Sequence, residues 1–237
     1  MMRALLIVMA CLLPALVHGQ PSASSPVAFS GAASSCSGTV TVSGSNPLLV
    51  VAIHLVNGSG TLPVADANYN GDALTFIAGI VEPSGSLSSR TELWYLHAPD
   101  AGSNTFTANF AQAEVFLCRV YVLTGAHQSA ALGNSVTAAD ATDTPTANLS
   151  SATTELVITA NTNNGDSFTC APGAGQTEHY DEDFGAIACG SSEVGAGTTT
   201  ASHTLSAGAR FWSLVAAGFK EVSVASPSRK RIGVMVQ

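Results

Sequence analysis

The chain has 237 residues, only 10% of them charged, with 8 lysines and arginines against 16 acids and a formal net charge of −8. Soluble domains carry about a quarter charged residues, so this surface must draw its polarity mainly from Ser, Thr, Asn and Gly. So acidic a chain lacks the basic footprint of a nucleic-acid binder, and it lacks the charged helix formers of a helical bundle.

Arg3 precedes an apolar run from Ala4 to Val17, and Val17 and Gly19 are small residues placed for cleavage after Gly19. The run is shorter than the ~20 apolar residues of a membrane span. Residues 1–19 therefore read as an export signal, with no integral membrane segment expected after its removal. Residues 20–27 are expected to form a flexible leader.

Short strand-like runs follow. Residues 38–43 (GTVTVS) alternate and place Val40 and Val42 on one face. Residues 48–55 (LLVVAIHL) are nearly all apolar, as in a strand covered on both faces. Asn70-Gly71, between strand-like residues 64–69 and 73–77, is a two-residue hairpin signal. Residues 90–96 (RTELWYL) read as another strand, and 104–110 (NTFTANF) put Phe106, Ala108 and Phe110 inward. Residues 114–123 (EVFLCRVYVL) form the longest candidate, with further core strands at 155–160 and 211–219. Residues 139–145 and 195–200 read as small polar linkers. Some nine to eleven strands with no amphipathic helix between them predict an all-β fold. The expected architecture is an antiparallel β-sandwich of jelly-roll type, in one domain over residues 28–222.

Cys11 leaves with the signal, so the mature chain keeps Cys36, Cys118, Cys170 and Cys189. An even number in an exported chain suggests disulfides, with three connectivities open. Cys170 and Cys189 enclose a loop rich in Gly and acids and are paired here, which leaves Cys36 with Cys118. Cys118 also reads as a plain core residue within its apolar run. No Cys/His spacing suggests zinc.

Six segments together resemble a recurring, mostly uncharacterised module of bacterial exported surface proteins and some phage proteins. They are residues 46–52 (NPLLVVA), 69–75 (YNGDALT), 92–96 (ELWYL), 123–128 (LTGAHQ), 173–178 (GAGQTE) and 212–218 (WSLVAAG). The resemblance implies a secreted β-sandwich of surface structures, often beside adhesive or sugar-binding modules. It supplies no catalytic residues. The chain departs from the module at His127, where an acid is expected, and in its Cys170 and Cys189 pair.

The densest polar segment is Glu178, His179, Tyr180, Asp181, Glu182 and Asp183. Carboxylates crowded on a loop suit Ca²⁺, which takes six to eight oxygens, so Glu178, Asp181 and Asp183 are candidate calcium ligands. A solvated acidic loop is the plainer alternative, and no cofactor is required. Trp94 and Tyr95 must point to opposite faces of their strand. One is core, and the other could offer a flat platform to a sugar ring. Glu92 and Glu114 are conceivable glycosidase carboxylates, but no strand signature of such enzymes accompanies them. No Gly-x-Ser-x-Gly elbow occurs. His54, His97, His127 and His203 are scattered and read as strand or loop histidines.

Arg229, Lys230 and Arg231 are consecutive near the C-terminus. Residues 20–228 hold four basic residues, Arg90, Arg119, Arg210 and Lys220, against all sixteen acids, a net of −12. The apolar, β-prone residues 232–237 (IGVMVQ) that follow could add a strand to a neighbour's open edge. A frayed terminus is the plainer alternative. The expected function is a secreted or cell-surface, non-enzymatic structural or adhesive protein whose partner is itself or a surface glycan. A carbohydrate-binding module comes second and an exported glycoside hydrolase third.

Overall fold

The computed structural model describes residues 19–57, 63–83, 88–165, 168–206, 208 and 210–222. All of the expected export signal (residues 1–19) but Gly19, and the tail from residue 223 with Arg229, Lys230 and Arg231, lie outside them. Sixteen antiparallel strands make up the described chain. The first eight are β1 (Ser22–Ala23), β2 (Val27–Val42), β3 (Leu48–Asn57), β4 (Val64–Tyr69), β5 (Asp72–Ala73), β6 (Thr75–Val81), β7 (Ser88–His97) and β8 (Gly102–Thr124). The second eight are β9 (Leu132–Thr142), β10 (Thr146–Ser151), β11 (Glu155–Asn163), β12 (Cys170–Pro172), β13 (Thr177–Asp183), β14 (Ile187–Val194), β15 (Gly197–Leu205) and β16 (Arg210–Lys220).

The strands form an antiparallel sandwich of stacked layers. The large sheet runs β5-β4-β8-β3-β7-β6, with β1 and β2 also on β8. It doubles over on itself, because β2 and β8 form one long ribbon that bends. The register jumps from Ala33 opposite Glu114 to Ser35 opposite Asn109, leaving extra residues on β8 at the turn. Before the bend β8 pairs with β4, and after it with β3. Two layers thereby enclose a first core of Val40, Val51, Ile53, Tyr69, Trp94, Phe106 and Val120 with their neighbours.

The other face of β3, β7 and β8 packs on a second sheet, β13-β14-β11-β16-β9. Leu48, Val50, Leu93 and Leu123 meet Ile158, Val215 and Phe219 in this central core, which joins the two halves of the chain. A three-stranded sheet, β10-β15-β12, covers the far side of β11 and β16 over Leu149, Val157, Trp212 and Leu214. Strands β3 and β11 are therefore covered on both faces, as the unbroken apolar run at 48–55 predicts.

Several expectations change. Sixteen strands replace nine to eleven, because the outer layers use Ser, Thr, Ala and Gly where bulky apolar alternation was sought. Residues 139–142 and 197–200, expected as linkers, belong to β9 and β15. Residues 104–110 and 114–123 are one bent strand rather than two. Asn70 and Gly71 do turn the chain, at φ 53° and 90°, yet only Asp72 and Ala73 return along β4. Leu74 then drops into the first core, and β6 crosses to pair with β7 in the next layer. The leader is not free either: Ser22 and Ala23 pair with Thr124 and Leu123, and Ser22 and Thr124 share a hydroxyl bond of 2.9 Å.

Both expected disulfides are present. Cys36 and Cys118, with Cα atoms 6.8 Å apart, tie the two limbs of the bent ribbon across the first core. Cys170 and Cys189 join β12 to β14, with Cα atoms 6.1 Å apart. A bond spanning 82 residues restrains the unfolded chain strongly. Replacing Cys36 and Cys118 together by alanine should cost about 2–4 kcal/mol, read as a lower urea midpoint at unchanged slope. An unchanged midpoint would show that the fold-over holds without its staple.

Candidate functional site

The central core is zoned along its strands. On β3 the inward residues run Leu48, Val50, Ala52, His54, and on β11 they run Leu156, Ile158, Ala160, Thr162. Strand β16 reads Phe219, Ala217, Val215, Ser213 in the same direction. Each strand starts apolar and ends polar, and the register brings the polar ends together.

There His54 bonds through Nδ1 to Thr162 Oγ1 at 2.7 Å and through Nε2 to Tyr180 Oη at 2.8 Å. Thr91 Oγ1 meets Thr162 Oγ1 at 2.6 Å and Ser213 Oγ at 2.8 Å, and donates to the Ser213 carbonyl at 2.9 Å. One chain of hydrogen bonds thus joins β7 and β3 to β16, β11 and β13, across the interface between the two large sheets. The Arg119 guanidinium lies 4.8 Å from the centre of the Tyr180 ring and ion-pairs with Glu182. Tyr121 and His179 stack edge to face beside them at 5.3 Å. Gly190 makes room for the Tyr180 ring, since a Cβ there would fall 2.2 Å from it.

Burial decides the protonation of these groups. Burial first, then the Arg119 charge, bring the His54 imidazole down to about 3, so it is neutral, with one nitrogen donating and one accepting. Burial pushes the Tyr121 and Tyr180 hydroxyls up and lowers Arg119. His54 is 0% exposed, and in this conformation neither water nor substrate reaches it. A neutral histidine held between a threonine and a protonated tyrosine acts here as a cross-sheet fastener.

A fully buried carboxylate lies in the first core. Glu92 accepts from Arg90 Nε at 2.5 Å, from Trp94 Nε1 at 2.8 Å and from the Val64 amide at 3.2 Å. Its oxygens are committed to holding β7 under β4. Glu114 sits apart, at the ribbon bend, where it lines a depression of about 350 Å³ with Ala32, Val56, Asn57 and Val115.

The sequence-derived site residues fare unevenly. Trp94 and Tyr95 do point to opposite faces, but Trp94 is buried in the first core and Tyr95 is half-buried against the central one. Trp94 is therefore no sugar platform, because the doubled sheet covers the face it occupies. Residues 178–183 form strand β13 and not a loop. Its alternation turns Tyr180 inward and Asp181 toward the Cys170 amide, which donates to Oδ2 at 3.0 Å. Asp181 and Asp183 share a shallow depression of about 370 Å³ with Phe168, Thr169 and Ser206. Glu178 is not among its walls. Among the described residues no group of three His, Cys, Asp or Glu side chains could hold a metal ion.

Sequence reasoning missed the His54 cluster because its members are single polar residues far apart in the chain. The available signal was a polar residue inside a doubly covered strand, His54 in LLVVAIHL and Arg119 in EVFLCRVYVL, since such a residue must find a partner. The chain matches no family model, no curated protein and no solved structure.

The histidines make stability pH-dependent in a definite direction. His54 falls to about 3 and buried His203 to about 4, both from an ordinary 6.5. Groups lowered on folding stabilise above their unfolded pKa and lose that contribution as pH falls toward the folded value. Below pH 6.5 each should therefore cost up to about 1.4 kcal/mol per pH unit until its folded pKa is reached. Glu193 works oppositely: burial raises it from 4.5 to about 7, so its contribution is complete below 4.5 and lost as pH rises to 7. Urea midpoints from pH 7 to 4 should fall less steeply in His54→Gln and more steeply in Glu193→Gln. Parallel curves for wild type and His54→Gln would mean that His54 titrates normally.

Proposed function

We propose that the mature chain is an exported, non-catalytic structural or adhesive β-module that assembles with further copies of itself at a cell surface. The observation that carries this reading is where the chain spends its chemically capable side chains. His54, Tyr180, Arg119 and Thr91 are buried and linked in one cluster between the large sheets. Glu92 is buried in the first core on Arg90, Trp94 and the Val64 amide, so the groups suited to acid–base work serve as fasteners between layers. Two disulfides and strands covered on both faces fit a module built to persist in an oxidising exterior. The apolar run before Gly19 supplies the route there.

A second reading, surface-glycan binding, draws on the outward face of the first layer. Ser37 and Thr107, and Thr41 and Ser103, form exposed cross-strand hydroxyl pairs at 3.0 and 2.7 Å, with the Asn109 to Asp66 bond beside them at 2.7 Å. A nearly uncharged field of hydroxyls and amides suits the hydrogen-bonding groups of a sugar.

Light scattering and electron microscopy of the chain from Gln20 should show species that grow with concentration. A monomer at every concentration would contradict self-assembly. Retention on a glycan array, lost when Thr39 and Thr41 are replaced by lysine, would favour the second reading, and calcium dependence would show as loss on chelation.

A further inference from the structure

We infer that the free edge of β6 accepts the C-terminal residues 232–236 of a second copy as an added strand. The inference rests on the self-assembly reading and names the contact that makes it.

The edges of the described sheets are not equally guarded. Strand β13 carries Glu178, Asp181, Glu182 and Asp183 and a break in register at His179. Strand β9 carries Asp140 and its own break near Gly133, and β12 has three residues ending in Pro172. Charge, bulges and proline are the ordinary means of blocking edge pairing. Strand β6 (TFIAGIV) also has a break in register, between Phe76 and Ala78, but it has neither charge nor proline, and among the described residues it pairs only with β7. The edge strands β2 and β10 lack charge and proline as well, but are built mainly of Ser, Thr, Ala and Gly. Its apolar side chains stay partly open: Phe76, 46% exposed, leans on Trp94, while Ile77 and Ile80 half-cover the central core. An uncharged seven-residue apolar edge is a ready template for another strand.

The occupant follows from charge and pattern. Residues 20–228 carry a net of −12, so acidic surfaces of two copies repel. The exception is the segment of Arg229, Lys230 and Arg231, followed by Ile232, Gly233, Val234, Met235 and Val236. Ile232, Val234 and Val236 alternate, so an added strand would lay all three on one face, beside Ile77 and Ile80. The last described residue is Val222, whose amide donates to the Gly125 carbonyl. That is the Thr75 end of β6, because Thr75 pairs with Tyr95 near His97 and Leu48, and Leu48 pairs with Leu123. A tail continuing directly from Val222 would run parallel to β6, whereas a neighbour's can run antiparallel in the more stable ladder. Head-to-tail donation of this kind is heterologous, so it builds rings where the rotation between copies closes and open chains where it does not.

Hydrogen exchange on the full mature chain, at low and high concentration, tests this. In the wild type the Thr75–Val81 amides should slow by about tenfold or more as larger species form. Met235→Pro, which removes an amide donor from the added strand, should give a native monomer with fast β6 exchange. A synthetic peptide of residues 229–237 added to that variant should restore the slow exchange. Protection falling on β2 or β9 instead, or assembly persisting in Met235→Pro, would overturn the inference while leaving self-assembly intact. A wild type that stays monomeric, with no protection by the peptide, would overturn both.

Discussion

A strand with both faces buried has no solvent to relieve it, and this constraint organises the molecule. Strands β3 and β11 occupy that position, back to back across the central core. Each must be apolar on two faces or find partners for the polar atoms it carries inward, a rule that Thr159 Oγ1 and Asn161 Oδ1 of β11 break. The doubled ribbon of β2 and β8 exists to cover the outer face of β3, and the three-stranded sheet covers that of β11. The surface then falls to the outermost strands, which carry the Ser, Thr and Asn that keep a protein with 10% charged residues in water.

The same constraint explains the polar end of the central core. His54, Thr91, Thr162 and Ser213 sit where both sheets present a hydroxyl or imidazole at one level, so each is satisfied only by the opposite sheet. Such a network fixes the register of one sheet on the other, because a two-residue slip would strand several buried groups at once. Arg119 and Glu182 extend it toward the surface, where Glu182 is partly exposed. The covered strands thus leave chemistry to the rim: the hydroxyl field of the first layer, the Asp181 and Asp183 depression, and the open edge of β6.

How much of this could be read from the sequence depends on burial. The apolar run at 48–55 announced a doubly covered strand, and the alternation of Phe106, Ala108 and Phe110 announced an inward face. The parity of the cysteines pointed to the observed bonds. What could not be read was pairing at a distance. Asn70-Gly71 specified its turn correctly, but nothing local told Leu74 to leave the hairpin for the core. Strands made of Ala, Ser, Thr and Gly, such as β9 and β15, look like linkers until a neighbour gives them a face. His54 and Arg119 were visible as oddities in apolar runs, yet their partners lie 108 to 126 residues away for His54 and on a strand taken for an acidic loop for Arg119. Local pattern fixes faces, and long-range register fixes sites.

The central claim is that the two large sheets open only together, because their shared core satisfies strands that neither could bury alone. Native-state hydrogen exchange across a denaturant series measures this directly. The account predicts that amides of β3 and β11 are the slowest in the chain and converge on one global opening free energy. If β11 exchanged through a separate, lower-energy opening while β3 stayed protected, the sheets would be independent units and the account would fail.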